Sequence, residues 1–238
     1  MCHTYALIIP ALNEAESVGV LLERIHRERL SQIIVVDNGS QDRTAEVAAK
    51  ARAEVVTELR RGYGQACLSG LRRVNPSVTA IAFMDADLSD DPEDLGRMVR
   101  YFDQDQCDLL LGSRVLGDPE PGSLTLLQRF GNWFSTHLIE MIWRVQFTDL
   151  GPMRVIRRDS LAQLNMSDRT FGWTVEMQAR AAQIGLRVCE LPVHYSRRMH
   201  GRSKVSGTVF GSLRAGTKIL WTILRCCLLP LRASTPRS

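Results

Sequence analysis

The stretch Phe83-Met84-Asp85-Ala86-Asp87-Leu88-Ser89-Asp90-Asp91-Pro92 decides the fold and points to the chemistry. The apolar run Ala80 to Met84 reads as a buried strand, and it ends abruptly in carboxylates. Asp85 and Asp87 are two residues apart, so in an extended chain their side chains share one side. Two carboxylates held that way repel unless a cation sits between them. The carboxyl end of a parallel strand is also where open α/β sheets bind ligands. Asp90 and Asp91 followed by Pro92 fit a plainer role as caps of the next helix. Asp85 and Asp87 interrupt the strand, so that role does not cover them.

Working outward, the first half alternates strand and helix patterns. Tyr5 to Ile9 and Gln32 to Val36 are apolar strands, and an amphipathic helix over about Ser17 to Arg27 separates them. Asp42 can cap a helix over Thr44 to Ala53, and Glu54 to Thr57 is a short third strand. A helix through Leu68 and Leu71 leads to Ala80–Met84, and Asp108 to Leu111 is a fifth strand. Continuous apolar strands alternating with helices imply an α/β fold with a mostly parallel central sheet flanked by helices. The second half is less regular: helices over about Leu124–Arg144 and Thr174–Ile184, then a strand over Val188–Tyr195. Gly207 to Leu229 reads as a C-terminal helical appendage with a broad apolar face.

Composition narrows the class. The 238 residues, 45% hydrophobic, are enough for one ordinary α/β domain with an appendage. Thirty basic against 26 acidic residues is not the balance of a nucleic-acid binder. The charge is unevenly placed, however: from Arg197 onward only Arg and Lys occur, which suits an anionic partner such as phosphate or a membrane surface. The six cysteines lack zinc-ligand spacing and read as small core residues of a reducing compartment. No signal-peptide pattern is visible, since Asn13 to Glu16 interrupts the first apolar run. Ile219 to Leu231 is shorter than the roughly 17–25 residues a spanning helix needs, and Arg225 lies inside it.

The loops that follow the strands carry the remaining motifs. Pro10-Ala11-Leu12-Asn13-Glu14, Asp37-Asn38-Gly39-Ser40, Gly62-Tyr63-Gly64-Gln65-Ala66 and Asp85-Ala86-Asp87 occur in that order, each after a strand or before a helix. Further on come Gly112-Ser113-Arg114, Thr148 to Arg154, Gly172 to Met177, and Arg198-Met199-His200-Gly201-Arg202-Ser203-Lys204. No G-x-G-x-x-G follows the first strand. This ordered set resembles the family 2 glycosyltransferases of GT-A fold, and among them the branch with dolichyl-phosphate mannose synthase and polyprenyl-phosphate glucosyltransferases.

That resemblance implies a Rossmann-like GT-A catalytic domain over 1–206, with a donor half to about 113 and an acceptor half over 114–206. Residues 207–238 would form an amphipathic helix and basic tail in peripheral contact with the cytoplasmic face of a membrane. It implies inverting, metal-dependent transfer of a hexose from a nucleotide sugar, UDP-glucose ahead of GDP-mannose, to polyprenyl phosphate. Pro10, Ala11, Asn13 or Glu14, and Asp37 would line base and ribose, with Asn38, Gly39, Gly62, Gly64 and Ala86 nearby. Asp87 would hold Mg²⁺ or Mn²⁺, with Asp85 serving metal or ribose, and Ser89 stands where relatives carry a Gln ligand. Arg198 and Lys204 would clamp the diphosphate, while Arg114, Arg129 and Arg154 would bind the acceptor phosphate. Arg157, Arg158 and Arg180 read as surface charges. With a hydroxyl acceptor, Asp149 or Glu176 would serve as base; with a phosphate acceptor, both would orient sugar or arginines. A sugar-nucleotide nucleotidyltransferase and a non-catalytic binding relative are the rival readings. The first lacks its basic Gly-rich loop at Pro10–Glu14, and the intact Asp85, Asp87, Asp149, Arg154 and Glu176 argue against the second.

Overall fold

The computed structural model describes residues 3–117, 119–198, 209–229 and 231, with the side chains of 209–215 left aside. Four strands, β1 (Tyr5–Ala11), β2 (Leu30–Asp37), β3 (Glu54–Thr57) and β4 (Ala80–Phe83), run parallel in the order 3-2-1-4. The helices α1 (Ala15–Arg24), α2 (Thr44–Lys50) and α3 (Tyr63–Leu71) connect them. Chain order reverses beside β1, so the carboxyl ends of β1 and β4 flank the crevice where such sheets take ligands. Beyond β4 follow β6 (Arg154–Arg157), β5 (Leu109–Ser113) and β7 (Val188–Pro192), with α4 (Pro92–Phe102) and α5 (Leu126–Trp143) between β4, β5 and β6 in the chain. The expected mostly parallel sheet, flanked by helices and followed by a C-terminal helix, is therefore present.

One strand departs from the expectation. β6 was not legible in the sequence, and it runs antiparallel to both β4 and β5. Its four residues are bracketed by Arg154 and Arg157, and α6 (Arg158–Leu164) starts directly after it. Its apolar run is too short for a periodicity to show.

Alternation along each strand divides the core between the two faces of the sheet. Tyr5, Leu7 and Ile9 of β1 join Ala82 and Met84 against α1 and α4. Ala6 and Ile8 join Ile81 and Phe83 against α3 and α7 (Trp173–Ile184). The buried Trp173 meets Phe83 edge-on, ring centroids 6.1 Å apart. α8 (Val209–Leu228) packs on α5 and α7, burying Ile223 and Cys226.

The first turn of α3 lies against the loop before α7 with no side chain between them. The Gly64 and Gln65 N–H groups donate to Thr170 O and Arg169 O, at 3.2 and 2.9 Å. A Cβ on Gly64 would stand 2.1 Å from Asp168 O, a backbone atom that cannot swing aside. Gly64→Ala should therefore cost about 2–4 kcal/mol of stability, as a steric insertion into a packed site does. Chemical denaturation checks it, and a loss under 0.5 kcal/mol, roughly that of a surface change, would contradict the packing.

Candidate active site

Three carboxylates gather where β4 leaves the sheet. Asp85 is half-buried, and its Oδ1 is enclosed without a hydrogen-bond partner. Burial, with the Asp87 charge beside it, pushes the Asp85 carboxyl up to about 7. Asp87 is buried; its Oδ1 accepts the Ser89 N–H at 3.0 Å, and its Oδ2 lies 2.6 Å from Arg198 Nη2. Asp90 differs from its expected role as a helix cap. Asp91 caps α4 by accepting the Glu93 N–H, whereas Asp90 is 1% exposed with both oxygens unpartnered. Burial, then Asp85 and Asp87, drive its carboxyl well above the usual range, which favours the neutral form.

The loop after β1 faces this cluster. Glu14 is buried, accepts Ser17 Oγ at 3.0 Å, and pairs with Arg198 Nη1 at 3.0 Å. Arg198 therefore spans Glu14 and Asp87, tying the β1 loop to the β4 end. Asn13 sits at φ +51° and links the β1 and β2 loops: its N–H donates to Ser40 Oγ, and its Oδ1 accepts the Gln41 N–H. Pro10 is half-buried, and Ala11 and Ala86 are buried in the floor of the crevice.

The β2 loop is built around Asn38. Its Nδ2 donates to Glu58 O and Arg60 O, and its Oδ1 accepts the Gly62 N–H at 2.8 Å. The amide is thus spent on holding the loop over 58–62 in place, while Asp37 Oδ1 accepts the Ser40 N–H. Gly39 at φ +77° and Gly62 at φ +143° supply the turns that only glycine adopts without strain. Glu58, which no sequence motif singles out, anchors the same loop. The hydroxyl of Ser69, the amide of Gln65 and the Arg60 N–H all donate to it, drawing its pKa down to about 2.

The expected acceptor residues separate. Arg114 is held by Asp149 through two parallel bonds of 2.7 Å, and its guanidinium lies over the Tyr195 ring, 4.9 Å from the centroid. Asp149 is 1% exposed, and it also accepts the Arg114 and Leu150 N–H groups, so both its oxygens are occupied. Arg129 is exposed in the first turn of α5. Arg154 lies away from the surface: it is fully buried on β6 and donates to the carbonyls of Thr174 and Gly151. Burial brings its pKa down to about 10, and it faces Asp85 and the buried Tyr63 hydroxyl. Glu176 is buried too, accepting Ser167 N–H and Oγ–H, the Asp168 N–H and Arg180 Nε–H. Arg180 is thereby corrected from surface charge to buried partner of Glu176. Arg157 and Arg158 are half-buried, with Arg157 paired to Asp105 and Asp108. Lys204 lies outside the described residues, as does the rest of the run Met199–Ser203.

The family model described as glycosyl transferase family 2 matches residues 6–164. The chain belongs to glycosyl transferase family 2. An uncharacterized glycosyltransferase of Mycobacterium tuberculosis is 39% identical over 211 residues, 88% of this chain and 93% of that one. An undecaprenyl-phosphate mannosyltransferase of Micrococcus luteus is 30% identical, covering 93% of this chain and 97% of its own. Glucosyl-3-phosphoglycerate synthase of M. tuberculosis, solved with Mn²⁺, UDP and glucosyl-3-phosphoglycerate, superposes with TM-score 0.74. The match spans 96% of this chain and 81% of that one, at 18% identity, and it establishes the GT-A fold of this family 2 glycosyltransferase.

Glu58 gives the loop over 58–62 of the glycosyltransferase a measurable signature. Its pKa is lowered on folding, so its stabilisation is complete above about pH 4.5 and is lost as pH falls toward 2. Glu58→Gln should lower the melting temperature by several degrees at pH 7, with the gap closing below about pH 4. A gap that stays constant from pH 7 to pH 3 in thermal melts would mean the charge is not what anchors the loop.

Proposed function

We propose that this glycosyltransferase moves a hexose from a nucleotide sugar to a polyprenyl phosphate with inversion, using Mg²⁺ or Mn²⁺. UDP-glucose is the favoured donor, ahead of GDP-mannose. In this reading residues 1–113 serve the donor, 114–206 the acceptor, and 207–238 contact the cytoplasmic face of a membrane. The observation that carries it is the saturation of Asp149 and Glu176, whose four carboxylate oxygens all accept hydrogen bonds within the protein. A hydroxyl acceptor needs a free base, and neither residue offers one. A phosphate monoester, with a second pKa of about 6, arrives as a nucleophile already deprotonated. The relatives named for undecaprenyl-phosphate and dodecaprenyl-phosphate products support the same acceptor class.

The residues fit the metal. Among the described residues no three His, Cys, Asp or Glu side chains are grouped to hold an ion by themselves. A divalent ion shared with a diphosphate needs only one or two protein carboxylates. The enclosed Asp85 Oδ1 and the crowded Asp85–Asp87 pair are such groups, with Ser89 beside them. Bound there, the ion would neutralise charge on the departing nucleoside diphosphate.

The protein's own groups do the rest by position and charge. Pro10, Ala11, Asn13, Glu14, Asp37, Asn38 and Gly39 frame the nucleoside, with Gly62 and Gly64 shaping the turn beside it. Arg198 exchanges Asp87 for the diphosphate, helped by Lys204. Arg114, oriented by Asp149, meets the acceptor phosphate together with Arg129. Arg154 acts from the core, as a buried positive charge that interacts with Asp85 rather than as a contact to substrate. Among the described residues no helix is long and apolar enough to cross a membrane. The exposed Trp221, Leu224 and Leu228 of α8 supply the proposed surface contact.

Incubation with Mn²⁺ and a panel of UDP- and GDP-sugars, with and without polyprenyl phosphate, tests the reading. Nucleoside diphosphate should appear only when metal, donor and lipid phosphate are all present, and Asp87→Ala should slow release about 100-fold or more. Turnover on a hydroxyl acceptor, or pyrophosphate from a nucleoside triphosphate, would overturn it. Full activity of Asp87→Ala would remove the metal assignment.

A further inference from the structure

The last helix reaches the donor side of the cleft through an unbroken series of short contacts. Lys218 Nζ of α8 lies 2.6 Å from Asp168 Oδ2, on a carboxylate only 1% exposed. Asp168 Oδ1 accepts the Thr170 N–H at 2.7 Å and its hydroxyl at 3.1 Å, which fixes the turn before α7. Burial opposes the Asp168 charge, yet Lys218 and Thr170 outweigh it and keep the carboxyl below its ordinary range. Arg225 Nη2, two turns further along α8, donates to Ser167 Oγ at 3.1 Å. From the other side Glu176 accepts the Ser167 and Asp168 N–H groups. The loop over 167–170 is thus gripped between α7 and α8.

The grip is tight because two of its walls lack side chains. A Cβ on Gly172 would lie 2.4 Å from Thr222 Oγ1 of α8 and 2.6 Å from Asp168 Oδ2. Across the loop, Gly64 and Gln65 donate to Thr170 O and Arg169 O, as described above. The same turn of α3 offers the Gly62 N–H to Asn38 Oδ1 and buries Tyr63 beside Asp85. A shift of α8 therefore reaches Asn38 and Asp85 by way of the Lys218–Asp168 pair and then through the hydrogen-bonded backbone of the 167–170 loop and the first turn of α3.

We propose that the Lys218–Asp168 ion pair, by docking α8 on the 167–170 loop, holds the Gly62–Gln65 turn in the geometry that binds the nucleotide. Lys218 is on this basis a positioning residue for the donor, although it does not touch it. The helix with the exposed apolar face would then also set donor affinity. The inference rests on the donor site proposed above. It adds to that site a dependence on the seating of the C-terminal helix.

Titration calorimetry of the full chain with UDP and with GDP, each with Mn²⁺, tests it. The wild type should bind one of the two. Lys218→Met should weaken that binding about tenfold, Asp168→Asn similarly, and Lys218→Arg should stay within about twofold of the wild type. In turnover, Lys218→Met should raise the donor KM by about the same factor while kcat at saturating donor falls less than threefold. Lys218 is one-third exposed, so its Met variant keeps the fold, which circular dichroism verifies. If the wild type binds and Lys218→Met binds equally well, the coupling is wrong and the donor site stands. If the wild type binds neither nucleotide, the donor site and the coupling fall together.

Discussion

Carboxylate repulsion at the end of β4 is the constraint around which the rest of the structure is arranged. Asp85, Asp87 and Asp90 converge in a space with little water, where like charges are least tolerable. The fold meets this in three ways. Burial of Asp90 favours its neutral form, Asp87 is bridged by Arg198, and the buried guanidinium of Arg154 adds a positive charge that interacts with Asp85. The antiparallel β6 is what makes the third way available. Its pairing sets Arg154 opposite Phe83 and Leu111, at the strand ends next to the cluster.

Arginine–carboxylate pairing has a second use around Asp149 and Glu176. Asp149 and Glu176 look alike in sequence, as isolated acids near glycines. In the structure each accepts at both oxygens and makes something else rigid: Arg114 in one case, the loop over 167–168 in the other. Buried charges with such complete hydrogen bonding orient their partners strongly.

The sequence disclosed the parallel strands, since β1, β2 and β4 are apolar runs ending at turn signals, and the strand-end loops followed from them. The Asp85–Asp87 pair was legible for the same reason: an acid cannot continue a buried strand. β6 was hidden because four residues flanked by arginines carry no period. Glu58 was hidden because its partners, Gln65 and Ser69, lie on a helix whose packing no local pattern announces. Asp90 was read as a cap because Asp91 beside it offers the same chemistry, and only burial tells the two apart. Arg154 failed for a related reason, as an arginine next to a glycine-rich turn gives no sign that its guanidinium points inward.

The bridge made by Arg198 has a consequence for how a ligand enters. Without any guest, the cleft already carries its own counter-ion, covalently tethered and shared between Glu14 and Asp87. One guanidinium shared between two carboxylates leaves the cluster net negative, so a cation arriving with a diphosphate at the proposed site would be drawn to it. Under the proposed function the cation would take over Asp87 and free the Arg198 guanidinium for the phosphate. Arg198 would thus be, under the same function, a placeholder first and a ligand second.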